Sequence, residues 1–207
     1  MDSINRQIDT TELLEMEQRY RANFINSLTG FKSLALVGTV AKNGQKNLAI
    51  FNSIVHLGAH PPLIGMVIRP DSVDRHTLQN ILETGYYTIN HVQEEMMEKA
   101  HQTSARYSKK ISEFDAVGLE DEVINDFPAP FVKESTIKLG VQFKEKVPFA
   151  INGTIFVIGE IKQITLPKDV VHADGFVDLV KAGTITNSGL DSYHVVFDGK
   201  RFPYAKP

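Results

Sequence analysis

The 207-residue chain contains no cysteine. Disulfides, thiolate metal sites, cysteine nucleophiles and an iron–sulfur cluster held by thiolates are therefore excluded. It also lacks a surplus of positive charge. Lys and Arg number 22 against 25 Asp and Glu, a formal net charge of -3. A protein that coats nucleic acid usually shows a strong basic excess, so no nucleic-acid partner is expected, although a local anion site is compatible with this balance. No apolar run approaches the ~20 residues of a membrane helix. The opening 1-MDSINRQIDTTELLEMEQRY-20 is too polar for a signal peptide. No membrane association and a cytoplasmic location are the expectations. The glycine fingerprint of a dinucleotide-binding βαβ unit, a P-loop and an internal repeat are all missing.

What is present is enough apolar material for one sizeable core, 42% of residues. The segment 9-DTTELLEMEQRYRANFI-25 predicts a helix, with Asp9 and Glu12 at capping-box spacing and Leu13, Met16, Tyr20 and Phe24 on one face. The period then changes. The runs 34-LALVGTVA-41 and 46-KNLAIFNSIVHL-57 predict two strands of a hairpin turned at 42-KNGQ-45, the second strand with room for a bulge. A third strand, 62-PLIGMVI-68, is nearly all apolar and so central. A short helix at 76–83 and a strand, 86-YYTINHV-92, follow. Next come a helix over 94–104, a mixed and surface-exposed stretch over 105–122, and a proline loop at 126–131. Long strands are predicted over 136–147 and 151–167, a short element at 176–180 and a last strand at 192–197, before a polar tail. Residues 1–29 form a helical arm and 30–207 the main domain. A mostly antiparallel, strand-rich order with a few inserted helices favours a barrel or curled sheet over a doubly wound fold.

The loop 69-RPDSVDRHT-77 separates the third strand from the helix after it. That position offers free helix N–H groups and a positive dipole end, a physical recipe for phosphate. Arg69 and Arg75 supply bidentate charge-assisted donors, Ser72 and Thr77 hydroxyls, and His76 a further donor. Asp71 and Asp74 suit turn capping better. The same residues also read as an ordinary solvated loop. Asn47, Asn52 and Ser53 lie in or beside an apolar strand, where buried polar side chains need partners. The pyrimidine edge of an isoalloxazine ring would supply them, and so would bulge or turn chemistry. Asn90 and His91 raise the same choice. His56 and His60 have metal-pair spacing but no third ligand, so no metal site is expected.

The segments 35-ALVGTVAKNGQKNLAIFNSI-54, 61-PPLIGMVIRP-70, 76-HTLQNILETGYYTINHV-92, 103-TSARYSKKISEFDAVGL-119 and 187-NSGLDSY-193 together resemble the flavin reductase-like family of FMN-binding split barrels. The resemblance implies a mainly β, split-barrel domain and a homodimer with FMN near the subunit interface. It implies a phosphate held by Arg69, Ser72, Arg75, His76 and Thr77, with Arg75 or His76 where many relatives carry lysine. Asn52 and Ser53 would approach the ring and ribityl chain, and Asn90 and His91 would stand at a strand end beside the cofactor. Ser104 and Tyr107 match a helix-end segment, and Asp191 and Tyr193 a late motif near the site. His91, Tyr107 and Tyr193 would shape the acceptor side. The implied activity is hydride transfer from NAD(P)H through FMN to free flavin or another small acceptor. The alternatives are an FMN-binding or storage protein, an oxidase of the pyridoxamine-phosphate oxidase-like kind, and a dimer without a ligand. Two departures bear on substrate and nicotinamide preference. Relatives often read Ser-Pro-Phe-Ser-Phe-Phe-Asn where this chain has 48-LAIFNSIVH-56, and a double glycine where it has 188-SGLD-191.

Overall fold

The structure, a computed structural model, describes residues 5–70 and 74–206. The first predicted helix is two helices, Thr10–Glu15 (α1) and Gln18–Leu28 (α2). Asp9 caps α1, accepting from the Glu12 N–H at 2.9 Å. The break falls at Met16, whose backbone is extended (φ -57°, ψ 140°). Arg21 Nη1 donates to the Leu14 carbonyl at 2.8 Å and ties the two helices together.

The strands that follow are Lys32–Ser33 (β1), Ala35–Val40 (β2), Lys46–Phe51 (β3), Ile54–Ala59 (β4) and Pro62–Ile68 (β5). Then come helix His76–Thr84 (α3), strand Tyr86–His91 (β6), a single 3₁₀ turn, and helices Met97–Gln102 (α4) and Glu113–Val117 (α5). The remaining strands are Asp121–Glu122 (β7), Phe131–Val132 (β8), Lys138–Pro148 (β9), Ile155–Thr165 (β10), Thr186–Ser188 (β11) and Ser192–His194 (β12). No helix among the described residues is long and apolar enough to cross a membrane.

The main sheet has seven strands in the order β3-β2-β6-β9-β10-β5-β4. Every neighbouring pair is antiparallel. The two edge strands, β3 and β4, are consecutive in the chain, and only Asn52 and Ser53 lie between them. Three successive Cα–Cα steps reach at most ~11 Å. The sheet must therefore curl until its edges nearly meet, which makes a barrel with a split at Asn52–Ser53. One continuous strand over 46–57 is thus corrected to two, at opposite edges. Both halves are apolar and β-branched, so the pattern hides the break. The bulge expected in this region lies in β4, between His56 and Gly58.

β2 shows why the barrel holds. Its side chains alternate between two cores. Ala35 and Val37 face inward with Met66, Tyr87, Ile89 and Val157, and α3 plugs that interior with Leu78 and Ile81. Leu34 and Leu36 face outward into a second core with Leu48, Met96, Phe114 and Ile185, closed by α4 and α5. The 105–122 stretch is therefore not all surface, since Ser112, Glu113, Phe114 and Leu119 are buried. The β2–β3 hairpin turns at Gly44, whose φ of +86° suits a residue without Cβ. Gly159 in β10 leaves room for the hydroxyl end of Tyr87, since a Cβ there would sit 2.4 Å from Tyr87 Oη. The predicted element at 176–180 forms no strand, only an isolated bridge from Val177 to Val171. The predicted last strand shortens to β12, which joins β1 and β11 in a small sheet.

Candidate functional site

The cation loop leaves the end of β5 and enters α3. Arg69 is exposed, and Arg75 stands at the N-cap of α3 with no side-chain cap bond. The first N–H groups of α3 thus have no capping side chain. Arg75 Nε donates to the Pro70 carbonyl at 3.1 Å, which draws the ends of the loop together. Ser72 lies outside the described residues, with Asp71 and Val73. His76 is half-buried. Thr77 is turned inward, where its Oγ1 accepts from Asn47 Nδ2 at 3.1 Å. The Glu113 carboxylate lies close enough to feel His76. Glu113 Oε2 accepts from the Leu48 N–H at 3.0 Å. Burial pushes the Glu113 carboxyl above its ordinary range, against these bonds and the His76 charge.

The split in the barrel forms the second part of the site. Asn52 Nδ2 donates to the Gly189 carbonyl at 3.1 Å. The same carbonyl accepts from Lys32 Nζ and from Asn187 Nδ2, each at 3.4 Å. Ser53 Oγ donates to Asn52 Oδ1 at 3.4 Å, and the Ser53 carbonyl accepts from the Val67 N–H at 2.9 Å. The Lys32 ammonium is held below its ordinary pKa by burial and by the charge of Arg69. Two cations, an amide and the 188–191 loop therefore share one corner. No ion pair joins Arg69, Lys32 or Arg75 to a carboxylate among the described residues.

A third group stands on the β11–β12 hairpin and α4. Asp191 and Ser104 are exposed. Tyr193 lies opposite Asn187 in the hairpin register. Its hydroxyl is 2.7 Å from His101 Nδ1, and the rings meet edge to face at 5.6 Å. Burial, then Asp191, raises the Tyr193 phenol pKa. The Tyr107 hydroxyl accepts from Gln102 Nε2 at 3.0 Å.

The structure does not bring Asn90 and His91 to the cation loop. Asn90 is wholly buried. Its Nδ2 donates to the Leu36 carbonyl at 3.0 Å and to Thr88 Oγ1 at 2.9 Å. Its Oδ1 accepts from the Val132 N–H at 3.0 Å. His91 sits at the far end of β6, with Nδ1 at 3.1 Å from Thr184 Oγ1. Burial lowers its pKa to about 4, so the ring is uncharged near neutrality. It lines an apolar pocket of about 530 Å³ beneath the barrel.

Lys32, Asn187 and Glu113 escaped the sequence reading. Lys32 and Gly189 are 157 positions apart, so no local signal marks their contact. Glu113 sits in a polar stretch, and only its buried bond to Leu48, 65 positions away, sets it apart.

The sequence profile of the flavin reductase like domain matches residues 31–180. A split-barrel protein of Shewanella frigidimarina NCIMB 400, assigned provisionally as a flavin reductase, superposes with a TM-score of 0.94 at 51% identity, over 97% of this chain and all (100%) of that one. Nitrilotriacetate monooxygenase component B of Bacillus cereus shares the fold, with a TM-score of 0.83 at 18% identity over 98% of this chain and 100% of its own. An uncharacterised protein of Aquifex aeolicus strain VF5 is 28% identical over 80% of this chain and 85% of its own length.

Proposed function

The chain belongs to the flavin reductase-like family, and on that premise we propose that it is an FMN-dependent oxidoreductase. It takes hydride from NAD(P)H and passes electrons to free flavin or another small acceptor. The observation that carries this reading is the corner at the barrel split. There Arg69 and Lys32 stand beside the Asn52 amide and the 188–191 loop, and the chain runs on from Arg69 to the uncapped start of α3. This is a donor-rich, cationic corner, and the groups suit FMN. Arg69, Arg75 and the α3 N–H groups would hold its phosphate, with His76 beside them. Ser72 completes that set in the proposal. Thr77, already accepting from Asn47, keeps a hydroxyl proton to donate. Asn52 and Ser53 would meet the ring edge and ribityl chain. When bound, FMN supplies the hydride chemistry itself.

The chain's own residues orient, donate and exclude water. The short Asn52–Ser53 link, fixed by bonds to Gly189 and Val67, holds its donors on the rigid barrel edges. Tyr193, Tyr107, Ser104 and Asp191 would bound the acceptor side, with Tyr193 steadied by His101. A homodimer is part of the proposal. Neither α1 nor α2 has a buried residue, and Leu14 and Leu28 are 70% and 65% exposed. Residues 1–29 would thus form an arm apart from the 30–207 domain. The need for NAD(P)H supports a cytoplasmic location.

The test is to load the purified protein with FMN and add NADH, then NADPH, without oxygen. Bleaching of the bound flavin's visible absorption supports the oxidoreductase. Colour that persists with both nucleotides overturns nicotinamide use and favours a flavin-holding protein. Failure to bind FMN at all removes the reading.

A further inference from the structure

The strand β5 has Arg69 just past one end and Ile64 near the other. At ~3.3 Å per residue the two are ~16 Å apart. Around Ile64 the curled sheet opens into the pocket of about 530 Å³, walled by Ile89, Leu139, Ile161, Leu179 and His91. We propose that this pocket is a second ligand site, which binds an uncharged, predominantly apolar small molecule of roughly two or three fused or linked rings.

The volume lies in the range of sites that enclose small organic molecules. Ile64, Ile89, Leu139 and Ile161 stand on four hydrogen-bonded strands of the main sheet, so the cavity is formed before any ligand arrives. No carboxylate lines it. Lys32 lies on its rim, but the ammonium bonds the Gly189 carbonyl and belongs to the corner at the split. Ser33, also on the rim, donates its hydroxyl to the Ile54 carbonyl at 2.7 Å and offers no free proton inward. His91 also lines it, anchored to Thr184. Burial keeps its ring uncharged down to about pH 4. An anion placed among Ile64, Ile89, Leu139 and Ile161 would lose its hydration, and the basic side chains that also line the pocket, Lys32 and the exposed His56, stand at its rim; that loss is larger than one hydrogen bond returns. A neutral molecule with one carbonyl or hydroxyl near His91 incurs no such penalty.

This site shares the rim residue Lys32 with the corner at the split, but dye binding is read apart from FMN binding. The neutral dye N-phenyl-1-naphthylamine brightens in apolar surroundings. Its relative 8-anilino-1-naphthalenesulfonate has the same rings and a negative charge. Titrating both into the full-length protein should show one neutral dye per chain, bound at least about tenfold more tightly than the charged one. Two rim substitutions check the place. Leu179→Trp, at a position 43% exposed, fills the mouth and should weaken the neutral dye by about tenfold or more. Val55→Arg, at a position 47% exposed, adds a cation and should narrow the gap between the dyes. FMN affinity, measured on the same samples, should not move with either. The proposal is overturned by equal or tighter binding of the charged dye. It is overturned equally by neutral-dye binding that neither substitution alters, or by binding seen only on dilution to the monomer, which would make the pocket a face covered by a second copy. Loss of FMN binding with intact dye binding would instead count against the flavin reading alone.

Discussion

Arg69 is exposed, lies next to a second cation and pairs with no carboxylate among the described residues. Hydrogen bonds to charged groups are worth ~1.5–3 kcal/mol. Arg69→Ala should therefore weaken FMN binding by roughly ten- to a hundredfold in Kd, while the thermal midpoint of the FMN-free protein stays put. Flavin fluorescence titration reads the first and a melting curve the second. His91 makes the opposite kind of prediction, one of stability. Its folded pKa of about 4 lies below the ordinary histidine value of 6.5. The unfolded chain therefore takes up the proton first as pH falls. The contribution is complete above pH 6.5 and is lost on acidification towards pH 4. By about pH 5 the loss should reach ~2 kcal/mol. Urea unfolding near pH 7 and near pH 5 should show that decline, and His91→Gln should show a smaller one.

Among the elements, β10 depends on closeness rather than on propensity. A Cβ at Gly159 would come within 2.4 Å of both Tyr87 Oη and Val141 Cγ1. Both side chains belong to the inner core and have nowhere to retreat. Gly159→Ala should cost about 1–3 kcal/mol by overpacking, read as a lower urea midpoint. Gly199→Ala, where no atom lies within 4 Å, is the matched control and should change little. Helix α5 illustrates the other dependence. It contributes Phe114 to the outer core and Glu113 to the Leu48 N–H of β3. Its five residues would not hold as an isolated helix. The contacts hold it, which is why a polar stretch reads as surface and folds as part of the core.

For the whole molecule, the proposed division lies between the arm, residues 1–29, and the barrel. The two main cores are built on the curled sheet, with α3 inside and α4 and α5 outside, and none of their buried residues comes from α1 or α2. Deleting residues 1–29 should leave the urea midpoint and the circular dichroism of the sheet nearly unchanged, while the proposed homodimer, followed by sedimentation, weakens. A deletion that unfolds the barrel would contradict this division. The mostly antiparallel body was legible from the change of period after residue 30 and from Asn43–Gly44. The place where the barrel splits was not, because Phe51 and Ile54 look like neighbours in one strand. They pair with different partners, Phe51 with Ala35 and Ile54 with Met66.

The sequence by itself determined the excluded chemistries, the alternating strands, and the cations gathered between β5 and α3. These are local properties, set by composition, by period and by neighbours within a few positions. Only the tertiary structure decided which of those residues meet. It turned Thr77 and Asn90 into the protein, sent His91 to an apolar pocket, and brought Lys32 and Asn52 onto the carbonyl of Gly189. Contacts between residues more than a hundred positions apart depend on how the sheet curls. That curl follows from packing two cores against one set of strands, which no local pattern records.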